Sequence, residues 1–271
     1  MDFAAQELAS KDSTFWNNAD LWRQFIQYEE DFKKVIKQRE MQRIPFHHQS
    51  PQILFRNELI AYLKQTATQK KMSHSCLHLA VYLLDIFMDN HDIVPHYLQL
   101  VCNVCLLIAA KFEECAQKIP KIADMNALVK NRYSRQEYKS VEILILNFFF
   151  GYIMFPTAAH YTYYYMQALI SPEDMQYFSG NSRELLFELN ESIKIYLECT
   201  IDDIHFMQLY PPSQLAASIL SAARTKVGLP CWTPALENLT EYRWEQLQHS
   251  LTDILKGQTS GCIHCEEFKS A

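Results

Sequence analysis

The sequence predicts an all-α protein made of two similar five-helix units behind an N-terminal helix. Apolar residues recur at the 3.6-residue spacing of helices in nearly every periodic segment, with no strand-like alternation and no Asn-Gly type of hairpin signal. Two stretches also match at an offset of 113, LLIAAK at 106–111 and ILSAAR at 219–224, and the same offset brings VYLLDIF opposite SIKIYLEC within one or two residues. That period is the size of a domain, longer than the roughly 20–50 residues of a solenoid repeat. The length of 271 residues, 49% of them hydrophobic, suffices for one large core or two smaller ones.

A first helix is expected over about 19–43, where Leu21, Phe25, Tyr28, Phe32 and Val35 form a stripe flanked by the i,i+4 pairs Glu29–Lys33 and Glu30–Lys34. IPFHHQSPQ breaks the pattern. A helix at about 52–67 carries Phe55, Leu59, Tyr62 and Leu63 on one face. The next, at 74–89, is apolar almost all round and so must be central and buried. Pro95, of a type favoured in the first helical turn, opens a helix that ends in LLIAAKFEE at 106–114. Helices near 121–129 and at 134–149 complete the first set. The division predicted is an N-terminal helix and linker at 1–49, a first unit at 50–152, a second at 156–255, and a tail at 256–271.

Composition removes several classes of function. Lys plus Arg total 25 against 31 Asp plus Glu, a net charge of −6 that gives no general attraction to nucleic acid. The five glycines form no G-x-G or Walker loop to cradle phosphates. The N-terminus lacks a signal-peptide pattern, and no apolar run is read as reaching the ~18 residues of a membrane helix, so a soluble, intracellular protein without a membrane partner is expected. Cys76, Cys102, Cys105 and Cys199 sit in apolar helical stretches as small hydrophobes, and no disulfides are expected.

Two charges stand out within apolar surroundings. Lys111 ends one apolar run, and Glu142 lies inside the run from Val141 to Leu146. Buried charges persist only when paired or hydrogen-bonded, so the two either bridge to each other, surface by snorkelling, or meet a partner protein. Asp85, amid YLLDIFM, calls for a partner on the same ground.

The stretches LHLAVYLLDIFMD, LQLVCNVCLLIAAKFEE, VEILILNFFF, FPTAAHYTYYY, YPPSQLAASILSAA and WTPALENLTEY, in this order and spacing, resemble the cyclin family over about 50–255. HQSPQ, HLAVYLLDIFMD and PTAAH are most similar to the J-type members. The resemblance implies two tandem cyclin boxes. It also implies a non-catalytic regulatory subunit that binds and activates a cyclin-dependent Ser/Thr protein kinase in cell-cycle control, with no cofactor, and that meets kinase substrates as part of the heterodimer. A nuclear or cytoplasmic location is implied by resemblance alone.

Carried over position by position, the resemblance assigns kinase contact to Lys111, Phe112, Glu113, Glu114, Glu142, Leu146 and Phe150, and an internal ion pair to Arg56 and Asp85. The groove that takes Arg-x-Leu substrate motifs in the family maps to Phe55, Glu58, Leu59 and Tyr62. There the chain departs from the family: Glu58 replaces an apolar docking residue and Tyr62 a tryptophan, which puts the groove in doubt. Gly151 stands where an aromatic contact is common, with Phe150 beside it.

Other groupings carry less. His74 and His78 have zinc-ligand spacing without the Glu of H-E-x-x-H, Cys102 and Cys105 lie in an apolar helix, and CIHC at 262–265 offers three ligands where a structural zinc needs four, so no metal is expected. Lys33, Lys34, Lys37, Arg39 and Arg43 form either a solvated face or a partner-facing stripe. RNEL at 56–59 and RELL at 183–186 match destruction signals but fall in predicted helices. Two other readings stay open: a cyclin-fold transcription factor, which calls for a basic surface, and a helical adaptor without a kinase partner.

Overall fold

The computed structural model describes residues 28–178 and 181–261. Among these residues there is no strand, and the chain divides into two compact units. Residues 41–157 form one of them. The other combines 158–261 with the N-terminal helix through Glu40.

In the 41–157 unit, a 3-10 turn (Ile53–Phe55) leads into α2 (Arg56–Gln69), followed by α3 (His74–Asn90), α4 (Pro95–Glu113), α5 (Ile122–Leu128) and α6 (Arg135–Phe148). α3 is buried at every position from Cys76 to Met88, as its all-round apolar sequence requires. Its N-terminus is fixed by Ser73, whose hydroxyl accepts from the Cys76 N–H at 3.1 Å. α4 is buried from Leu100 to Ala110. Against the sequence expectation, α4 is long and apolar enough to cross a membrane, because Gln99 and Asn103 interrupt the apolar run without making the helix polar. Its apolar faces pack against neighbouring helices of the unit instead. α6 begins with the capping box of Ser134 and Glu137.

The second unit contains α1 (Glu29–Met41), α7 (Ala158–Tyr165), α8 (Ser182–Asp202), α9 (Ile204–Leu209), α10 (Pro212–Lys226), α11 (Pro234–Thr240) and α12 (Trp244–Gly261). Of its five principal helices, α7, α8, α11 and α12 pack around the fifth, α10, and α9 is a short addition. α12 runs to Gly261, so residues 256–261, expected in the tail, are helical. Residues 262–271, with the CIHC motif, lie outside the described residues, as do the first residues of the predicted 19–43 helix.

α1 joins the second unit through a face one position removed from the predicted stripe. Ile36 is buried among Tyr161, Tyr165 and their neighbours, and Phe32 meets the Tyr164 ring edge-on at 5.1 Å, while Tyr28 and Val35 are exposed. Polar contacts decide this rotation. Glu29 accepts from the Tyr164 hydroxyl at 3.2 Å, Lys37 pairs with Glu241 at 2.9 Å, and Glu40 accepts from the Ser213 N–H at 2.7 Å and its hydroxyl at 2.8 Å. The linker then turns to the other unit, where His47 N–H and Gln49 N–H both donate to Asp89 at 2.6 Å and Arg43 lies over the Tyr82 ring.

Candidate functional site

α4 ends where its buried face meets solvent, and α6 packs beside it. Lys111, two residues before the end of α4, donates from Nζ to Glu142 Oε1 on α6. The lysine side chain is 48% exposed and the glutamate 20%, so this bridge lies at the surface and not in the core. In water-rich surroundings such a pair is worth at most about 1 kcal/mol. It satisfies both charges while leaving them reachable.

The surroundings are apolar and exposed. Phe112 follows Lys111, Ile143 and Leu144 follow Glu142, and all three face solvent, with Leu146 half-buried one turn further along α6. Ile143 and Leu144 escape a sequence reading that takes Val141 to Leu146 as one buried run, since a helix buries only one stripe and Ile145 occupies it. Past the end of α6 the chain reverses through two left-handed residues, Phe150 (φ 53) and Gly151 (φ 71), with the Gly151 N–H donating to Leu146 O at 2.8 Å. Glycine adopts this conformation freely; phenylalanine does not, and it holds its ring 92% exposed.

Glu113 and Glu114 part company with this group. Glu113 is half-buried. The Glu114 side chain is only 4% exposed and accepts from the Ser73 N–H at 2.5 Å, at the N-terminus of α3. A carboxylate there meets the positive end of the helix dipole and an otherwise unpaired donor. Glu114, to which resemblance assigns kinase contact, thus has a structural role at the start of α3.

Arg56 and Asp85 are brought together in the core of the same unit. Nε and Nη2 of the arginine donate to the two carboxylate oxygens, each at 2.9 Å. Burial pushes the Asp85 carboxyl above its ordinary value, and the guanidinium pulls it back only in part. Of the groove residues, Phe55 and Glu58 are exposed and Leu59 is buried. The Tyr62 hydroxyl is turned inward to Asn103 Oδ1 at 2.6 Å, and burial pushes its pKa up to about 12.

The remaining groupings belong to the fold. Among the described residues no group of three His, Cys, Asp or Glu side chains is placed to hold a metal ion. Burial pushes the Cys102 and Cys105 thiols well up, and His78 is buried. Arg56, Leu59, Leu185 and Leu186, within RNEL and RELL, are inaccessible. Arg43 of the basic stretch donates to Pro156 O at 3.0 Å, and Lys37 is paired as described.

A second buried ion pair escapes the sequence reading. Arg224 near the end of α10 donates from Nη2 and Nη1 to the two oxygens of Asp174 at 2.6 and 2.8 Å, from Nε to Pro230 O at 2.8 Å, and to Leu169 O. The available signal was its register: the offset of 113 lays Arg224 on Lys111.

Comparison with known proteins accords with this architecture. Residues 20–153 match the family Cyclin, N-terminal domain, and residues 156–264 match Cyclin, C-terminal domain. Cyclin-J of Xenopus laevis is 31% identical over 239 residues, which cover 83% of this chain and 60% of that protein. Cyclin-J of Homo sapiens is 30% identical over 231 residues, 83% and 59% of the respective chains. The G2/mitotic-specific cyclin-A of Drosophila melanogaster is 26% identical over 237 residues, 86% and 45%. The chain thus spans about 60% of the length of the J-type relatives. A viral cyclin from herpesvirus saimiri shares the fold at a TM-score of 0.68 and 18% identity, covering 84% of this chain and 96% of that one. A chain of the yeast RNA Pol II CTD kinase CTDK-1 complex does so at 0.57 and 16%, with 84% and 72% covered. The resemblance read from the sequence, including its J-type character, is borne out, and the chain belongs to the cyclin family.

Proposed function

We propose that the chain is the regulatory, non-catalytic subunit of a heterodimer with a cyclin-dependent Ser/Thr kinase and acts in cell-cycle control. The observation that carries this reading is the surface state of Lys111 and Glu142. Two charges bridged by one weak, exposed contact and flanked by exposed Phe112, Ile143 and Leu144 are poised to exchange each other for backbone groups of a docked protein. Phe150 adds a rigidly presented aromatic side chain of the type that anchors interfaces. Leu146 and Glu113 complete the proposed contact.

Family membership supports a kinase as the docked protein, as does the fold shared with a chain of a yeast kinase complex. The cell-cycle role is drawn from the G2/mitotic-specific name of the Drosophila relative. Docking on this face would hold the kinase's C helix inward, complete the Lys–Glu pair that positions its nucleotide phosphates, and shift its population toward the active state.

The test is reconstitution. Purified chain is mixed with each of a panel of cyclin-dependent kinases, and phosphate transfer to a protein substrate is followed. A large rise with at least one kinase, and none with the chain alone, is expected. Phosphotransfer by rigorously kinase-free chain, or no response from any kinase, would overturn the reading.

A further inference from the structure

The turn between α5 and α6 concentrates positive charge in a chain whose net charge is −6. Lys130, Arg132, Arg135 and Lys139 are all exposed, and among the described residues none of their side chains makes an ion pair or hydrogen bond. The one acidic residue within the segment, Glu137, is committed to the Ser134 N–H at 2.7 Å.

Among the described residues, no ion pair or helix cap uses these charges. Arg135 is the first residue of α6 and Arg132 lies just before it, at the helix end whose dipole repels cations. The Ser134–Glu137 capping box already satisfies that helix start without them. A local rule broken without structural gain marks a place where function is served instead.

The turn is also held in a fixed shape. Lys130 and Asn131 are both left-handed, with φ of 56 and 55, a conformation that bulky residues rarely adopt. Asn126 clamps the exit, donating to Tyr133 O at 2.6 Å and accepting from Tyr133 N–H at 3.2 Å, and the buried Tyr133 donates from its hydroxyl to His96 O at 2.6 Å. Basic side chains on a preorganised frame lose less freedom when they bind.

An apolar shelf adjoins the charges. The Tyr97 ring, 41% exposed, lies near-parallel to Tyr133 with centroids 6.4 Å apart, and Val94, three residues earlier in the chain, is exposed as well. Tyr97 and Lys111 stand near opposite ends of α4, fourteen residues and so about 20 Å apart. The surface is thereby separate from the proposed kinase contact at the Lys111 end.

We infer that Lys130, Arg132 and Arg135, with the Tyr97 ring, form a docking surface for an acidic protein segment that also carries an apolar side chain, contributed by a protein other than the one that engages Lys111 and Glu142. Carboxylates of the segment pair with the three cations, and its apolar side chain packs on Tyr97. Nucleic acid is a poorer match, because the overall charge of −6 repels a long polyanion outside this small patch.

The inference does not depend on the kinase reading and is tested without a kinase. Fluorescence anisotropy follows a labelled short peptide of Glu and Leu, its Lys counterpart, and a labelled single-stranded oligonucleotide of equal charge against the full chain. The Glu peptide is expected to bind in a salt-sensitive manner, ahead of both others. Combined Lys130→Glu, Arg132→Glu and Arg135→Glu should weaken it about tenfold or more while circular dichroism stays unchanged, and Lys33→Glu with Lys34→Glu should leave it intact. Lys111→Ala should also leave it intact. Equal losses in the Lys33/Lys34 control or in Lys111→Ala, or preference for the Lys peptide or the oligonucleotide, would overturn the inference.

Discussion

Lys111 and Arg224 each stand two residues before the end of their helices, α4 and α10, yet the lysine is about half exposed and the arginine fully buried. Arg224 spends its donors on Asp174 and on the carbonyls of Leu169 and Pro230, and so secures the connection that follows α7. Among the described residues, Lys111 has a single partner, Glu142, at the surface. One register thus serves the buried core in one unit and stays at the surface in the other.

Removing either member of the Arg224–Asp174 pair leaves an uncompensated buried charge. Arg224→Ala and Asp174→Asn should each cost about 3–5 kcal/mol, read as a lower urea midpoint. Burial opposes ionisation of Asp174, but hydrogen bonds from Arg224 and the Ser171 N–H, with the charge of Arg224, outweigh it and hold its carboxyl below the ordinary 3.8. Its contribution is therefore fully present above about pH 4 and lost as pH falls through the lowered value, so wild type and Asp174→Asn should converge in stability below about pH 4.

Lys111→Ala and Glu142→Ala should each weaken kinase association by about 2–4 kcal/mol, measured by calorimetry, because the partner groups they leave behind stay desolvated. Free-chain stability should change by no more than about 1 kcal/mol, as an exposed bridge allows. Strong coupling of the two residues in a double-mutant cycle on folding, with kinase binding near wild type, would assign the pair to the fold alone.

Phe150→Asn separates folding from docking. Asparagine tolerates the left-handed conformation that phenylalanine occupies at φ 53, so thermal stability should hold or rise, by up to about 1 kcal/mol. Kinase association should fall. A clear loss of stability would show that the Phe150 ring supports the chain's own packing.

Glu40 caps a helix to which it does not belong. α10 starts at Pro211 and Pro212 without a side-chain cap of its own, and Glu40 supplies one at Ser213. Glu40→Ala should cost about 1–2 kcal/mol by urea denaturation, with Glu40→Gln partly restoring it. No change in either variant would mean that the other contacts of α1, Ile36, Phe32, Glu29 and Lys37, hold it without Glu40.

The sequence by itself determined the helical class, the doubled unit and most helix positions, because burial of one apolar stripe writes a 3.6-residue period and a buried helix such as α3 writes an unbroken one. It also exposed Lys111, Glu142 and Asp85 as charges that needed partners. What it left open was the identity of each partner, since pairing depends on which side chains the packed helices bring within about 3 Å across tens of residues. Only the tertiary structure joined Glu114 to Ser73, Arg224 to Asp174, and Glu40 to Ser213. It alone turned α1 by one position, so that Ile36 and not Val35 is buried, because polar anchors at both ends of that helix outweigh the choice between two neighbouring aliphatic residues.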